Sequence, residues 1–446
     1  MIKINIDENT FSELQSIHWE WFEQNYIKDA IKIREKYEKD NSSLGKLITH
    51  ILDNNNIKLL VVGNSTLFSE NILHLNEFIE NILIEYPCIF QSKIKSSVKT
   101  YLSRIRTQMR LLQPYDKQGT ENLKCQLKYF LESNYDILNL YIFNLDEVIN
   151  NVSAIKKGNR ISGFSEASFV TFKEDLLSEN KFNKLTSELN KIFVYNDFLK
   201  EKTISFNKNG EKLNRRWCAY DFVTAISLST CPICNRNYIH TYESKPGKCR
   251  ADVDHYYPKS IYPFLSICLY NFVPTCHTCN SSFKGSIDTF LVKCLYPYTE
   301  EFGENTKFKT EFYTDCDTTS VENNKLLSGE EKYDIKYLYG NSDNFKISLE
   351  CNNKHGENYK VENSANIFHI ENLYNFHKDY VRELIKKAIV YNESRIDEIY
   401  NNFSELYENR EEVVRMVVGN YICEEDLGKR PLAKLTKDIC EELGLK

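Results

Sequence analysis

Two Cys-x-x-Cys pairs, Cys231-Pro232-Ile233-Cys234 and Cys276-His277-Thr278-Cys279, decide how this chain is read. Between them run Ala251-Asp252-Val253-Asp254-His255-Tyr256-Tyr257-Pro258-Lys259-Ser260 and Asn271-Phe272-Val273-Pro274-Thr275; Asn280 and Lys284-Gly285 follow. Each pair offers two thiolates from one turn, so the two together supply the four soft ligands of a tetrahedral zinc site. Such a site is closed. The Zn²⁺ expected on Cys231, Cys234, Cys276 and Cys279 is therefore structural, with no coordination position open for chemistry. A single pair would read as well as a redox couple; two in so short an interval favour metal.

What separates this stretch from a bare zinc module is Asp254 next to His255. The pair sets a hard oxygen ligand beside an imidazole that titrates near neutral pH. Phosphodiester hydrolysis asks for both a divalent ion to offset phosphate charge and a base to activate water. A lone histidine is more often structural, so the frame around it matters: Pro258 follows three residues on, and Asn271 and Asn280 come after.

The motif resembles that of the HNH, or His-Me finger, endonucleases. Asp252-Val253-Asp254-His255-Tyr256-Tyr257-Pro258-Lys259-Ser260 is also similar to a stretch of the HNH domain of CRISPR-guided DNA nucleases. The resemblance implies a ββα-metal fold with four catalytic positions: His255 as general base, Asp254 and Asn280 as ligands of one catalytic Mg²⁺ or Mn²⁺, and Asn271 bracing the loop that orients His255. It places Lys284 within reach of a phosphate. A looser resemblance over residues 215–446 is to HNH proteins of bacterial anti-phage loci, notably the nuclease of Septu-type systems. It rests on segments such as Tyr262-Pro263-Phe264-Leu265, Leu373-Tyr374-Asn375-Phe376-His377-Lys378 and Lys429-Arg430-Pro431-Leu432. It implies an antiviral defence effector working with an ABC-type, SMC-like ATPase, and the long amino-terminal region departs from the shorter members of that group.

Charge is distributed in keeping with a nucleic-acid partner. Lys208 to Lys293 holds eleven Lys or Arg against six Asp or Glu, a balance of +5, which leaves −11 for the rest of a chain with net charge −6. Arg236, Arg250, Lys259 and Lys284 are the expected phosphate contacts, with Arg215, Arg216, Lys245 and Lys248 as further candidates. Tyr238, Tyr256 and Tyr257 are candidates for base stacking, although aromatics beside a small zinc domain are more often core. His240 and His277 are rival metal ligands, weakened by four cysteines that already complete a zinc site.

The chain has 446 residues, enough for several domains. No apolar run approaches membrane-spanning length, and Met1-Ile2-Lys3-Ile4-Asn5 opens no secretory signal, so a cytoplasmic protein without membrane contact is expected. Fourteen cysteines in a reducing compartment argue for metal, with the ten outside the two pairs, among them Cys88, Cys125, Cys268 and Cys440, as small buried thiols.

The expected class is α+β, in four segments. Residues 1–205 read as helical, from spacing such as Phe78-Ile79, Ile82-Leu83 and then Phe172, Leu176-Leu177, Leu185 and Leu189. Residues 206–300 hold the nuclease core, entered through a turn at Asn207–Gly210 and a helix over Trp217–Leu228. Residues 301–365 form a β insertion, with strands expected at Phe308–Tyr313, Tyr333–Leu338 and Phe345–Leu349. Residues 366–446 return to helix, with stripes at Tyr380, Leu384-Ile385, Ala388-Ile389 and at Leu432, Leu435, Ile439, Leu443; Pro431 suits the first turn of the last one. Lys58-Leu59-Leu60-Val61-Val62-Gly63 is either a buried strand or a helix.

The function expected is a metal-dependent endonuclease acting on DNA. Alternatives are an RNA-cleaving HNH nuclease, a modification-dependent restriction endonuclease, and a non-catalytic zinc module that binds nucleic acid. Oligomerisation is compatible with the sequence.

Overall fold

The computed structural model describes residues 1–112, 117–152, 169, 175–208, 211–244, 246–312, 335–351 and 359–445. Phe172, the side chains of Leu176 and Leu177, the last two residues of the Asn207–Gly210 turn, Lys245, Tyr313 and Tyr333 lie outside the described residues. The fold is mixed α and β: mostly helix, with two-stranded sheets. The chain divides into two compact units, each built from discontinuous stretches. One comprises Asn5–Ser227 and Thr241–Thr299; the other comprises Met1–Ile4, Leu228–His240 and Glu300–Lys446.

The first unit is built on the helix Glu8–Tyr37, started by Asp7, whose carboxylate accepts from the Thr10 amide. Phe11, Leu14, Ile17, His18, Trp21 and Phe22 recur at three-to-four spacing on its buried face. Asn54–Val62 is a helix, which settles the ambiguous Lys58–Gly63 run. Asp53 caps its start, and Gly63 ends it at φ +78°, a conformation that side chains with a Cβ resist. Strands Lys202–Lys208 and Glu211–Trp217 pair as an antiparallel hairpin, and the helix Ala219–Ile226 follows.

A second antiparallel pair carries the site. Asp252–His255 runs against Phe272–Thr275 in the register Asp252↔Thr275 to His255↔Phe272. The helix Thr278–Lys284 follows, wound as a wide π-type turn that closes with the Gly285 amide on the Asn280 carbonyl. Gly285 leaves that turn at φ +50°, so a glycine is needed there for its backbone rather than for space. Behind the Phe272–Thr275 strand lies an aromatic cluster in which Phe272 stacks on Phe198 at 5.2 Å and meets the edges of His18 and His255.

In the second unit, Thr306–Phe312 and Phe345–Cys351 form an antiparallel hairpin. The alternation that suggested a strand at Tyr333–Leu338 is misleading: residues Ile335–Tyr339 make a 3₁₀ turn with Ile335, Leu338 and Tyr339 exposed. The closing helix is Ala433–Glu442, and the Asp438 carboxylate accepts from the Phe308 amide of the hairpin. Pro431 stands before that helix rather than in its first turn, because Leu432 intervenes at φ +64°. Lys378–Val390 buries Val381, Leu384 and Ile385 but exposes Ile389, a narrower stripe than its apolar pattern suggested.

The cysteines outside the two pairs are not uniformly buried thiols. Cys218, Cys268, Cys294 and Cys440 are buried, whereas Cys125 and Cys249 are exposed and Cys88, Cys351 and Cys423 are half-buried. Among the described residues, no helix is long and apolar enough to cross a membrane.

Candidate metal centre and catalytic cavity

Cys231, Cys234, Cys276 and Cys279 are all buried, and their Sγ atoms lie within 4.8 Å of one another. A tetrahedral ion with bonds of about 2.3 Å asks for sulfurs a little under about 4 Å apart, so four thiolates drawn slightly inward suffice. The donor set fits a metal such as zinc. Local chemistry shapes each pair. In the first, Asn235 takes a left-handed turn at φ +47°, which its short amide side chain tolerates. It donates to the Leu427 carbonyl and accepts from the Lys434 amide, while the Tyr374 hydroxyl holds the Cys234 carbonyl at 2.7 Å. In the second pair, the Asn280 amide bonds to the Cys276 carbonyl as the helix begins.

An open cavity of about 450 Å³ is lined by Asp252, Asp254, His255, His277, Asn280 and Lys284, with Tyr195, Arg250 and Lys259 at its margin. His255 ends its strand buried, and its Nε2 lies 2.9 Å from the Ser266 carbonyl. A carbonyl can only accept, so Nε2 carries the proton and Nδ1 keeps its lone pair in the neutral ring. Burial, with help from the Lys259 and Lys284 charges, pushes the His255 pKa down to about 3 against the Ser266 bond, so the ring is neutral at pH 7. Tyr195 meets its face edge-on at 4.6 Å, and the Lys259 ammonium sits 4.3 Å from the centre of the Tyr195 ring.

Asn271 is wholly buried and ties the intervening loop at three points. Its Oδ1 accepts from the Tyr257 amide at 2.7 Å, and its Nδ2 donates to the Tyr257 and Leu265 carbonyls. Its own carbonyl accepts from the Tyr256 amide.

Asp254 is buried and ion-paired: Lys284 Nζ lies 3.0 Å from its Oδ1 and also donates to the His255 carbonyl. Burial raises the Asp254 pKa above the ordinary carboxylate value, and the Lys284 charge opposes the rise. Lys284 is only 2% exposed, so it is neither a solvated helix lysine nor an open phosphate contact in this state. Asn280 donates instead to Asp252 Oδ2 at 3.2 Å, and the same oxygen accepts from His277 Nδ1 at 2.9 Å. Asp252 and its contact with His277 are what the motif reading left out. Strand alternation was the available signal, since residues two apart share a face and Asp252 must lie alongside Asp254.

The basic residues divide. Arg250 borders the cavity, donates to the Ala251 carbonyl and lies over the Tyr220 ring. Arg215 pairs with Glu13, Arg216 with Asp221, Glu201 and Glu243, and Lys248 with Glu201 and Glu243, so their charge is met within the protein. Arg236 donates to His377 Nε2 at 2.9 Å. Tyr256 and Tyr257 are buried, with hydroxyls on the Cys294 carbonyl and on Asn76, which removes them from base stacking. Tyr238 is exposed and lies flat against His240.

The chain matches no family model, no curated protein and no solved structure.

Proposed function

We propose that this protein is a metal-dependent endonuclease of the HNH type that hydrolyses phosphodiester bonds in DNA. The observation that carries the reading is the ring of His255: its Nε2–H is committed to the Ser266 carbonyl, which leaves a basic Nδ1 on a residue that lines a cavity with two carboxylates and an amide. In the proposed reaction Nδ1 takes a proton from water, the resulting hydroxide attacks phosphorus in line, and the 3′-oxygen departs and takes a proton from solvent water, leaving 5′-phosphate and 3′-hydroxyl ends. An imidazole desolvated this far is a weak base alone. An anionic phosphodiester entering the cavity stabilises the protonated ring and strengthens it as an acceptor.

Asp252 and Asn280, whose side chains lie together at the cavity, suit a divalent ion, which when bound supplies positive charge against the phosphate and the leaving oxygen. The protein's own part is to hold His255 in one tautomer, through Ser266, and to hold the loop after it, through Asn271.

The test uses purified protein with plasmid, linear duplex, single-stranded DNA and RNA, under Mg²⁺ or Mn²⁺. Cleavage of DNA by the wild type and its loss in His255→Ala is the expected result. A His255→Ala protein that cuts as fast as wild type would overturn the assignment. Cleavage of RNA alone would keep the chemistry and change the substrate.

A further inference from the structure

We infer that the divalent-cation site in this cavity is formed by Asp252, His277 and Asn280, rather than by the Asp254–Asn280 pair that the motif implies. Asp254 Oδ1 is engaged by Lys284 Nζ at 3.0 Å, in a pair where the side chains are 8% and 2% exposed. A cation is therefore already in place against that carboxylate, supplied by the chain. Asp252 differs: it is more accessible, and one of its oxygens gathers two further donors, His277 Nδ1 at 2.9 Å and the Asn280 side-chain amide at 3.2 Å.

These separations are hydrogen-bond lengths. They are also the spacing of adjacent ligands around an octahedral ion, since bonds of about 2.1 Å at right angles put neighbouring donors about 3 Å apart. Little has to move for an ion to replace the hydrogen bonds. The Asn280 amide turns over to present Oδ1, and the His277 ring takes the tautomer with its proton on Nε2, leaving Nδ1 as the ligand. Asn280 sits in a π-type turn, which widens the helix where such a ligand is needed.

A set of one carboxylate, one imidazole and one amide oxygen selects among ions. Imidazole favours Fe²⁺, Co²⁺, Ni²⁺ or Zn²⁺, and Mn²⁺ accepts it beside oxygen donors, whereas Mg²⁺ prefers oxygen donors and water. The ligand class assigned is thus a borderline transition-metal dication, with Mg²⁺ a poor substitute. The inference rests on the nuclease reading only in giving this ion to that reaction; the binding stands or falls alone.

The probe is Mn²⁺ added to the full-length, zinc-loaded protein and followed by electron paramagnetic resonance, with zinc content measured on every variant. The wild type should bind one Mn²⁺ whose echo is modulated by a directly bound ¹⁴N. His277→Gln should lose that modulation and bind at least about tenfold more weakly, without unfolding, because the His277 side chain is 79% exposed. Asp252→Asn should weaken Mn²⁺ binding similarly, while Asp254→Asn should not. Three results would overturn the assignment: no binding at millimolar Mn²⁺, ¹⁴N modulation that persists in His277→Gln, or binding lost with Asp254→Asn but kept with Asp252→Asn. Mn²⁺ held through His277 in a wild type that cuts no nucleic acid would instead count against the nuclease reading alone.

Discussion

Lys284 and Asp254 form an ion pair 3.0 Å long in which both side chains are almost fully withdrawn from solvent. Two charges removed from water stabilise each other only as a pair, so deleting one partner leaves the other stranded. Lys284→Met should destabilise the protein by about 3 kcal/mol. Asp254→Asn combined with Lys284→Met should recover part of that loss, since no uncompensated charge is left behind. Urea unfolding of the two single variants and the double variant measures the coupling. Additive losses would mean that the pair contributes nothing of its own.

A buried histidine away from the cavity makes stability depend on pH. His18 Nε2 donates to the Ile267 carbonyl at 2.7 Å, and its Nδ1 accepts from the Trp217 indole at 2.9 Å. A proton on Nδ1 would face that indole N–H, and burial alone lowers the His18 pKa from 6.5 to about 4. Between those two values the unfolded chain binds more protons than the folded one. The contribution is therefore complete above pH 6.5, falls as pH drops toward about 4, and amounts to about 3 kcal/mol across that window. His18→Gln should lower overall stability and flatten this part of the profile. Denaturant midpoints taken at steps from pH 7.5 to 4 decide it.

The four cysteines were legible because a Cys-x-x-Cys spacing is a local constraint that needs no knowledge of the rest of the chain. So was the proximity of Asp254 to His255. The partners of these residues were not. Lys284 reaches Asp254 across 30 residues and His277 reaches Asp252 across 25, through strand pairing that a single sequence does not encode in any local pattern. Ser266 was invisible for a different reason: it acts through its backbone carbonyl, which every residue has. The run Lys58–Val62 was undecidable because continuous apolar residues carry neither period, and its caps, Asp53 and Gly63, settle it. At Ile335–Tyr339, alternation of apolar and polar residues accompanied an exposed turn rather than a half-buried strand.

The cysteine cluster should behave as a folding element. Ser in place of Cys276 removes one of four buried donors and leaves three thiols with no charge-balancing ion. Metal analysis should find one zinc per chain in the wild type and much less in Cys276→Ser, with loss of cooperative thermal unfolding. Cys125→Ser, at an exposed cysteine outside the cluster, should keep full zinc content and the wild-type transition. Strong chelation should reproduce the Cys276→Ser behaviour in the unmodified protein. A chain that loses all zinc and still unfolds at its normal temperature would show that the metal does not hold the fold.

Phosphate contact should be confined to the cations that the protein has not already neutralised. Arg250 and Lys259 border the cavity, and Lys259 has its pKa lowered by burial and lies over the Tyr195 ring. Arg215, by contrast, pairs with Glu13 at 2.9 Å. Each lysine or arginine that meets a DNA phosphate releases a condensed counterion, which steepens the dependence of affinity on salt by about 0.9 in the log–log slope. Arg250→Ala and Lys259→Ala should each make the slope shallower by about that amount for a short duplex. Arg215→Ala should leave it unchanged, because Glu13 already satisfies that charge. Fluorescence anisotropy over a series of salt concentrations, on a His255→Ala background to prevent cleavage, reads all three. Equal slopes for wild type, Arg250→Ala and Lys259→Ala would move the nucleic-acid path away from this cavity.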